Sequence, residues 1–301
     1  MYTAETYRAI IVEKIPKDAI LPQHDEEGHW YKRPHKEYKY PSVNGKIGIL
    51  KEGHGLQDWK MNLALDFVFK NLSTITPENA MDMRDSAANA STLVLEDAGD
   101  IGTDVHDYRE HIFRDWIRNG FRPKDFISYI PEDQKDIRAV SAIGALAKFC
   151  DDYHYEPIAT ELFVYSDKME LGGTLDDIGF IKLPVLPIVN YKCKHNVMGN
   201  ECFDCGQRFK KYLVLLDLKT SNSLKESYWI QVALYFEMFY KLTKIRPQKA
   251  FILKLDKHNR SYKVEFIREV PRIVRLAKKI VEVANGMEEV VELRKKEFVM
   301  V

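Results

Sequence analysis

The stretch Val214-Leu215-Leu216-Asp217-Leu218-Lys219-Thr220-Ser221 is the one around which the chain is organised. A run of aliphatic residues with two charged residues two positions apart predicts a β-strand. Because strand side chains alternate between faces, Asp217 and Lys219 point the same way, and Leu216 and Leu218 point into the core. Burying charged groups at the end of an apolar strand costs free energy unless they form ion pairs or take part in binding or catalysis. An ion pair on the solvent face of an edge strand and a functional site are both open interpretations.

The overall composition is that of an ordinary globular protein. The chain has 301 residues, of which 45% are hydrophobic and 30% charged, and Lys+Arg and Asp+Glu balance at 45 each. No global basic field indicates a nucleic-acid partner, although a catalytic cleft can be acidic while its rim is basic. No apolar run approaches the length of a bilayer span, and Met1–Lys14 contains no long apolar signal segment. We therefore expect a soluble, cytoplasmic protein with no membrane partner.

The first third of the chain has the least regular pattern. We assign residues 1–97 to an N-terminal extension, an arm followed by helices near 56–72 and 78–95. The apolar run Ala9–Val12 predicts a short strand. Residues 22–42 mix basic and aromatic side chains without periodicity, which predicts a loop or an extended arm. Such mixing suits single-stranded nucleic acid, whereas a solvated loop is the commoner explanation.

A helix with one apolar stripe opens the predicted core. We expect it to begin at Gly102, with Thr103 as N-cap, and to end at Gly120. The stripe consists of Val105, Tyr108, Ile112 and Trp116. His106 lies beside this stripe in the first turn. A histidine in that position is either a satisfied structural residue or a ligand.

The elements that follow alternate as in an α/β protein. The core is assigned to residues 98–270 and the C-terminal helices to 271–301. The predicted elements are a helix over 133–154, strands at Pro157–Tyr165, Gly172–Leu183 and Tyr212–Lys219, a buried helix at Glu226–Thr243, and strands at Ala250–Leu255 and Tyr262–Ile267. The fold class is therefore α/β.

Charged residues interrupt the middle strands of this series. Asp176 and Asp177 break the second strand, and Asp217 and Lys219 end the third. Carboxylates converging from neighbouring strands make an oxygen-rich site for Mg²⁺ or Mn²⁺. A lysine on the same face can hold an attacking water and offset negative charge on a phosphate. A metal ion with a positioned water is what phosphodiester hydrolysis requires.

Five motifs in this order resemble the PD-(D/E)XK nuclease superfamily, in particular its RecB-like and phage exonuclease branch. They are Gly102-Thr103-Asp104-Val105-His106, Glu161, Gly173-Thr174-Leu175-Asp176-Asp177-Ile178, Asp217-Leu218-Lys219-Thr220-Ser221 and Gln231-Val232-Ala233-Leu234-Tyr235. The segment Tyr40-Pro41-Ser42-Val43, followed by Leu56 and Trp59, is similar to the entry segment of such proteins. The resemblance covers roughly residues 40–256.

The resemblance implies a restriction-endonuclease-like α/β/α core, in which helices flank a central mixed sheet. It also implies a divalent-metal-dependent DNA exonuclease. Such enzymes act in phage, viral or bacterial recombination, repair or replication. The implied partners are DNA that is single-stranded or has a free end, and a replication or recombination protein. A phage-encoded enzyme would work in the host cytoplasm. The alternatives are a structure-specific or nicking endonuclease and, in another class, a non-catalytic nucleic-acid-binding module on the same fold.

The resemblance also implies ligands for the catalytic Mg²⁺ or Mn²⁺. Asp176 and Asp217 would bind the ion, assisted by the backbone carbonyl of Leu218. His106 would be a further ligand, and Glu161 would serve a second ion or hold a ligand water. Asp176 is preferred to its neighbour Asp177 on the motif alone, which leaves Asp177 facing the other side, where it would be solvated.

The remaining implied roles belong to Lys219, Gln231 and Tyr235. Lys219 would act on the nucleophilic water. Gln231 and Tyr235 stand one helical turn apart and would position the DNA strand or the lysine. A hydrogen-bonded core residue is the alternative explanation of Gln231.

An insertion at residues 184–211 departs from the family pattern, which usually has a short turn here. Three of the four cysteines of the chain lie in it, and the isolated Cys150 is predicted to be a buried core residue. The predicted ligands of a structural Zn²⁺ are Cys193, His195, Cys202 and Cys205. A metal would account for the order of so short a lobe, and free thiols are the alternative.

Overall fold

The fold was analysed in a computed structural model. It describes residues 3–15, 21–25, 28–32, 38–48, 55–185 and 208–298. The predicted zinc ligands Cys193, His195, Cys202 and Cys205 lie outside these residues. The chain divides by its contacts into two compact units, one of residues 50–104 and one of residues 1–49 with 105–301. The predicted extension, residues 1–97, is divided between these two units.

Helices and strands account for most of the described chain. The helices are α1 (Ala4–Lys14), α2 (Val43–Ile47), α3 (Gly55–Lys70), α4 (Ala80–Asn119), α5 (Ile137–Asp152), α6 (Glu226–Thr243) and α7 (Val270–Phe298). The strands are β1 (Leu21–Asp25), β2 (Gly28–Lys32), β3 (Lys39–Pro41), β4 (Glu156–Ser166), β5 (Leu171–Pro184), β6 (Phe209–Lys219), β7 (Lys249–Leu255) and β8 (Tyr262–Phe266).

A five-stranded mixed sheet in the order β4-β5-β6-β7-β8 forms the centre of the larger unit. The pairs β4–β5, β5–β6 and β7–β8 are antiparallel, and β6 and β7 are parallel. Helix α6 connects the two parallel strands, which is the connection that parallel pairing requires. The sequence prediction of an α/β fold with a mixed sheet flanked by helices is confirmed.

The middle strands are buried on both faces because helices flank the sheet. Leu215, Leu216 and Leu218 of β6 are fully buried, as expected for a strand rich in aliphatic residues. Helix α5 packs through Phe149, whose ring centroid lies 5.8 Å from that of Phe251 on β7. The predicted burial of Cys150 on the same helix is confirmed.

The N-terminal segment differs from the prediction in two places. The expected strand at Ala9–Val12 is part of helix α1, which Thr3 caps by accepting a hydrogen bond from the Thr6 amide. A short apolar run cannot by itself distinguish a strand from a buried helix. The expected loop at 22–42 contains the antiparallel sheet β1-β2-β3. Tertiary packing decides this case, because Tyr31 and Tyr40 are buried there.

Helix α4 also differs from the prediction. The two helices expected on either side of Gly102 are one continuous 40-residue helix. The Thr103 hydroxyl does not cap a helix; it donates a 3.1 Å hydrogen bond to the Gly99 carbonyl one turn earlier. An interior glycine costs a helix only about 1 kcal/mol, so Gly99 and Gly102 do not end it. The C-terminal segment is likewise one helix, α7, rather than two.

No described helix has both the length and the apolar character that crossing a bilayer requires.

Candidate functional site

Strands β5 and β6 meet at the residues that the sequence singled out. Their ladder includes the pair Asp177–Leu216. Beyond this pair, the Leu218 amide donates a 2.6 Å hydrogen bond to Asp176 Oδ2. The resemblance assigns the carbonyl of Leu218 to the metal ion, and the atom of Leu218 that bonds Asp176 is its amide nitrogen. The carboxylate of one strand is fixed by the backbone of the next.

His106, Glu161 and Asp176 form a cluster that could hold a metal ion. One potential ligand atom from each of the three lies within 4.8 Å of the others. His106 Nδ1 is 3.6 Å from Asp176 Oδ1. Burial lowers the pKa of His106 to about 4, although Asp176 acts in the opposite direction. The imidazole is therefore neutral near pH 7 and has a free lone pair for a cation.

Asp217 and Lys219 form an ion pair within the buried end of β6. Their side chains point the same way, as predicted, and Lys219 Nζ lies 2.6 Å from Asp217 Oδ2. The side chain of Asp217 is 1% exposed and that of Lys219 16%, which excludes the interpretation of a solvated pair on an edge strand. Burial raises the pKa of Asp217 to about 7 despite the neighbouring lysine. Lys219 keeps its proton, because Asp217 and Asp176 outweigh the effect of burial and raise its pKa.

Arg109 is the main residue of this region that the sequence analysis missed. It is fully buried on α4, donates a 2.6 Å hydrogen bond to Asp177 Oδ2, and also contacts Glu161 Oε1. The signal was in the sequence, because Arg109 falls on the apolar stripe between Val105 and Ile112. A charged residue on an apolar helix face needs a buried partner.

The expectation that Asp177 is solvated is wrong. Its side chain is fully buried and paired with Arg109. Alternation along the strand distinguishes Asp177 from Asp176, but it carries no information about a buried cationic partner such as Arg109. Burial raises the pKa of Asp177 to about 6, with Arg109 acting against that rise.

Glu161 has an unusual backbone conformation for a residue within a strand. It lies on β4 between Thr160, which pairs with Asp177, and Leu162, which pairs with Leu175. Its φ is +50°, in the left-handed region that non-glycine residues seldom adopt. Burial raises the pKa of Glu161 to about 8, with Asp176 adding to the rise and Arg109 opposing it. Such strain is often found at functional sites.

Gln231 and Tyr235 contact each other, and Tyr235 also contacts β5. Gln231 Nε2 donates a 3.2 Å hydrogen bond to the Tyr235 hydroxyl. The Tyr235 ring lies against Gly173, where an added Cβ would fall 2.5 Å from Tyr235 Cε1. Both residues are buried, and they brace the segment of β5 that leads to Asp176.

The N-terminal sheet braces the same segment of β5. The Tyr31 hydroxyl lies 3.1 Å from Thr174 Oγ1, two residues before Asp176. Gly172 packs against the same tyrosine, since a methyl group added there would lie 2.8 Å from Tyr31 Cβ. Tyr31 belongs to the segment predicted to be a loop, so sequence reasoning did not connect it with the site.

The donor set of the cluster fits a hard divalent cation. Carboxylate oxygens with one neutral imidazole nitrogen are ligands that Mn²⁺ and Mg²⁺ accept. The cluster, the Arg109–Asp177 pair and the Asp217–Lys219 pair together contain four carboxylates and two cationic side chains. If all four carboxylates were ionised, two negative charges would remain unbalanced, and one divalent cation would neutralise them.

Comparison with known proteins adds little. No family model and no curated protein matches the sequence. Among solved structures, the crystal structure of SSO0001 is similar at 12% sequence identity and a TM-score of 0.22, over 76% of this chain and 86% of that chain. A TM-score that low carries no argument about fold or function.

Proposed function

We propose that this chain is a divalent-metal-dependent DNA exonuclease that hydrolyses phosphodiester bonds in recombination, repair or replication. The observation that carries the proposal is the meeting of the His106–Glu161–Asp176 cluster with the Asp217–Lys219 pair at neighbouring strands. A cation site beside a buried lysine suits cleavage of an anionic diester.

The topology supports the same proposal. The larger unit contains α5, three antiparallel strands, the crossover helix α6 and a parallel strand, in that order. This is the order that the resemblance to PD-(D/E)XK nucleases implies, with Asp176 and Asp217 on the second and third of these strands. Because likeness of fold does not specify activity, the proposal depends on the arrangement of the side chains.

The proposed cation would be held by His106, Glu161 and Asp176, with Asp217 close by on β6. When bound, it would supply a polarised water and a counter-charge for the phosphate. Lys219, kept protonated by Asp217, would donate a hydrogen bond to the attacking water and offset charge on the scissile phosphate. Gln231 and Tyr235 would keep β5, and with it Asp176, in register.

A structural Zn²⁺ on Cys193, His195, Cys202 and Cys205 is the second part of the proposal. The support comes from the sequence, where two thiolates in a Cys-x-x-Cys-Gly step follow a Cys-x-His step. We expect one zinc per chain in metal analysis of protein purified without chelator. A stoichiometry that stays unchanged in the Cys202→Ser variant would refute this assignment.

Digestion of linear and covalently closed circular DNA tests the proposed activity. Single- and double-stranded forms of each are incubated with Mg²⁺, with Mn²⁺ and with EDTA. An exonuclease degrades the linear forms only, and only with metal, because it requires a free end. Cutting of circles would indicate the structure-specific or nicking endonuclease instead. Binding of DNA without cleavage in any condition would indicate a non-catalytic nucleic-acid-binding module.

A further inference from the structure

Arg109 joins two strands of the sheet through their carboxylates. Its guanidinium is fully buried and contacts Asp177 on β5 and Glu161 on β4. A buried guanidinium is tolerated only where carboxylates pair with it, and its planar fork suits two partners at once. Lysine, with one compact ammonium, cannot reproduce that geometry.

The two carboxylates differ in what else surrounds them. Asp177 is fully buried behind Arg109 and is not part of the candidate cation cluster. Glu161 belongs to that cluster, and its side chain is 23% exposed. Asp177 is therefore the fixed partner of the guanidinium, and Glu161 is the partner that faces the cluster.

Two further features indicate that the surrounding structure fixes the conformation of Glu161. Its backbone lies in the left-handed region, which costs a non-glycine residue on the order of 1–3 kcal/mol. One of its oxygens, Oε1, contacts Arg109, which leaves the second oxygen available to another cation. Without Arg109, the side chain of Glu161 would lose the contact that restricts its rotamers.

We propose that Arg109 is a positioning residue for cation binding: anchored by Asp177, it fixes the carboxylate of Glu161 beside His106 and Asp176. This inference rests on the metal site of the proposed function. It goes beyond that function by assigning the position of a ligand to a residue that would not itself touch the ion. Partners behind a metal ligand commonly change metal affinity by about 10- to 100-fold when they are mutated.

A double-mutant cycle on Mn²⁺ affinity tests the proposal in the full chain without DNA. The variants are Arg109→Lys, Glu161→Gln and the pair, titrated with Mn²⁺ by calorimetry and by the electron paramagnetic resonance signal of free Mn²⁺. We expect Arg109→Lys to weaken binding by about 10- to 100-fold in the wild-type background. In the Glu161→Gln background we expect the same change to weaken binding less than about 2-fold, because the carboxylate that Arg109 positions is absent.

Arg122→Lys is the matched control. Arg122 is also a paired arginine, with its Nη2 3.0 Å from Asp151 Oδ1, but it belongs to no part of the cation cluster. We expect it to leave Mn²⁺ affinity unchanged within about 2-fold. If Arg109→Lys fails to fold, Asp177→Asn loosens the anchor at constant volume and enters the same cycle with the same expectation.

The outcomes separate this inference from the metal site itself. Equal losses from Arg109→Lys in both Glu161 backgrounds would show a general structural effect and overturn the inference while leaving the metal site intact. An effect no larger than that of Arg122→Lys would overturn it as well. A wild-type chain that binds no Mn²⁺ would overturn both the metal site and the role of Arg109.

Discussion

The Leu218 amide donates a 2.6 Å hydrogen bond to Asp176 Oδ2. The carboxylate thereby satisfies a buried backbone donor on the neighbouring strand while its other oxygen faces His106. Asp176 thus has a structural task and a proposed metal-binding task, one for each oxygen. The two tasks can be separated by substitution.

Two substitutions of Asp176 should separate them. Asp176→Asn keeps an oxygen for the Leu218 amide but removes the charge, so we expect a folded protein that no longer binds Mn²⁺. Asp176→Leu also leaves the amide without a partner, which should cost a further ~1–3 kcal/mol of unfolding free energy. Urea denaturation with EDTA present measures that difference. Equal stability of the two variants would show that the hydrogen bond contributes nothing.

Replacement of Lys219 should strongly reduce the rate of cleavage without loss of fold. Lys219→Met keeps most of the side-chain volume and removes the ammonium, so we expect hydrolysis to fall by about 10²- to 10³-fold with DNA binding largely retained. Lys254→Met is the control, because Lys254 is the register partner of Lys219 on β7 and bonds the Asn222 carbonyl outside the cluster. The measurement is the rate of cleavage of linear DNA by the two variants at saturating Mg²⁺. Full activity of Lys219→Met would refute the proposed mechanism.

The metal-free protein should become less stable as the pH rises from 6.5 to 8. Burial raises the pKa of Glu161 to about 8 and that of Asp217 to about 7, so the folded state holds protons there that the unfolded state has lost. Stability contributed by such protons is complete below the unfolded pKa values and is lost as the pH passes the folded ones. His106, with its pKa lowered to about 4, has the opposite effect, which is largest between about pH 4 and 6.5 and fades above that range.

Denaturation at a series of pH values in EDTA measures this loss. We expect a fall on the order of 1 kcal/mol per pH unit, since a difference of one bound proton corresponds to about 1.4. The slope should be smaller in Asp217→Asn, which removes one of the two groups. Saturating Mn²⁺ should reverse this dependence of stability on pH, because a bound cation favours the ionised carboxylates. A stability that is flat or rising over this range in EDTA would contradict the assignment.

The parts of the fold that the sequence predicted are those with strong local patterns. The strands β4 to β8 and the helix α6 were recognisable because continuous apolar runs ended at turn residues. The Asp217–Lys219 pair followed from alternation alone. The N-terminal sheet could not be predicted this way, because Tyr31 and Tyr40 are buried by residues more than a hundred positions away. Local periodicity carries no information about such contacts.

The same difference separates the site residues. His106, Glu161 and Asp176 were proposed from motifs, and they lie together. Arg109 and the true environment of Asp177 were missed, because a buried ion pair is specified by two positions 68 residues apart. A charged residue on an apolar helix stripe could have indicated that a partner exists, but not which residue it is.

The packing of Tyr235 on Gly173 gives the last prediction. A methyl group at Gly173 would lie 2.5 Å from Tyr235 Cε1, so Gly173→Ala must displace the ring and disturb its hydrogen bond with Gln231. We expect a loss of ~1–3 kcal/mol in stability, as for other overpacked cores, together with reduced cleavage because β5 carries Asp176.

Gly286→Ala is the control for this substitution. Gly286 lies within α7 and has nothing within 4 Å of an added methyl group, so alanine there should stabilise the protein by ~0.5–1 kcal/mol through helix propensity. Thermal unfolding of both variants, with cleavage rates measured below the transition, provides the comparison. If Gly173→Ala were as stable and as active as the wild type, Tyr235 would not support the strand that leads to Asp176.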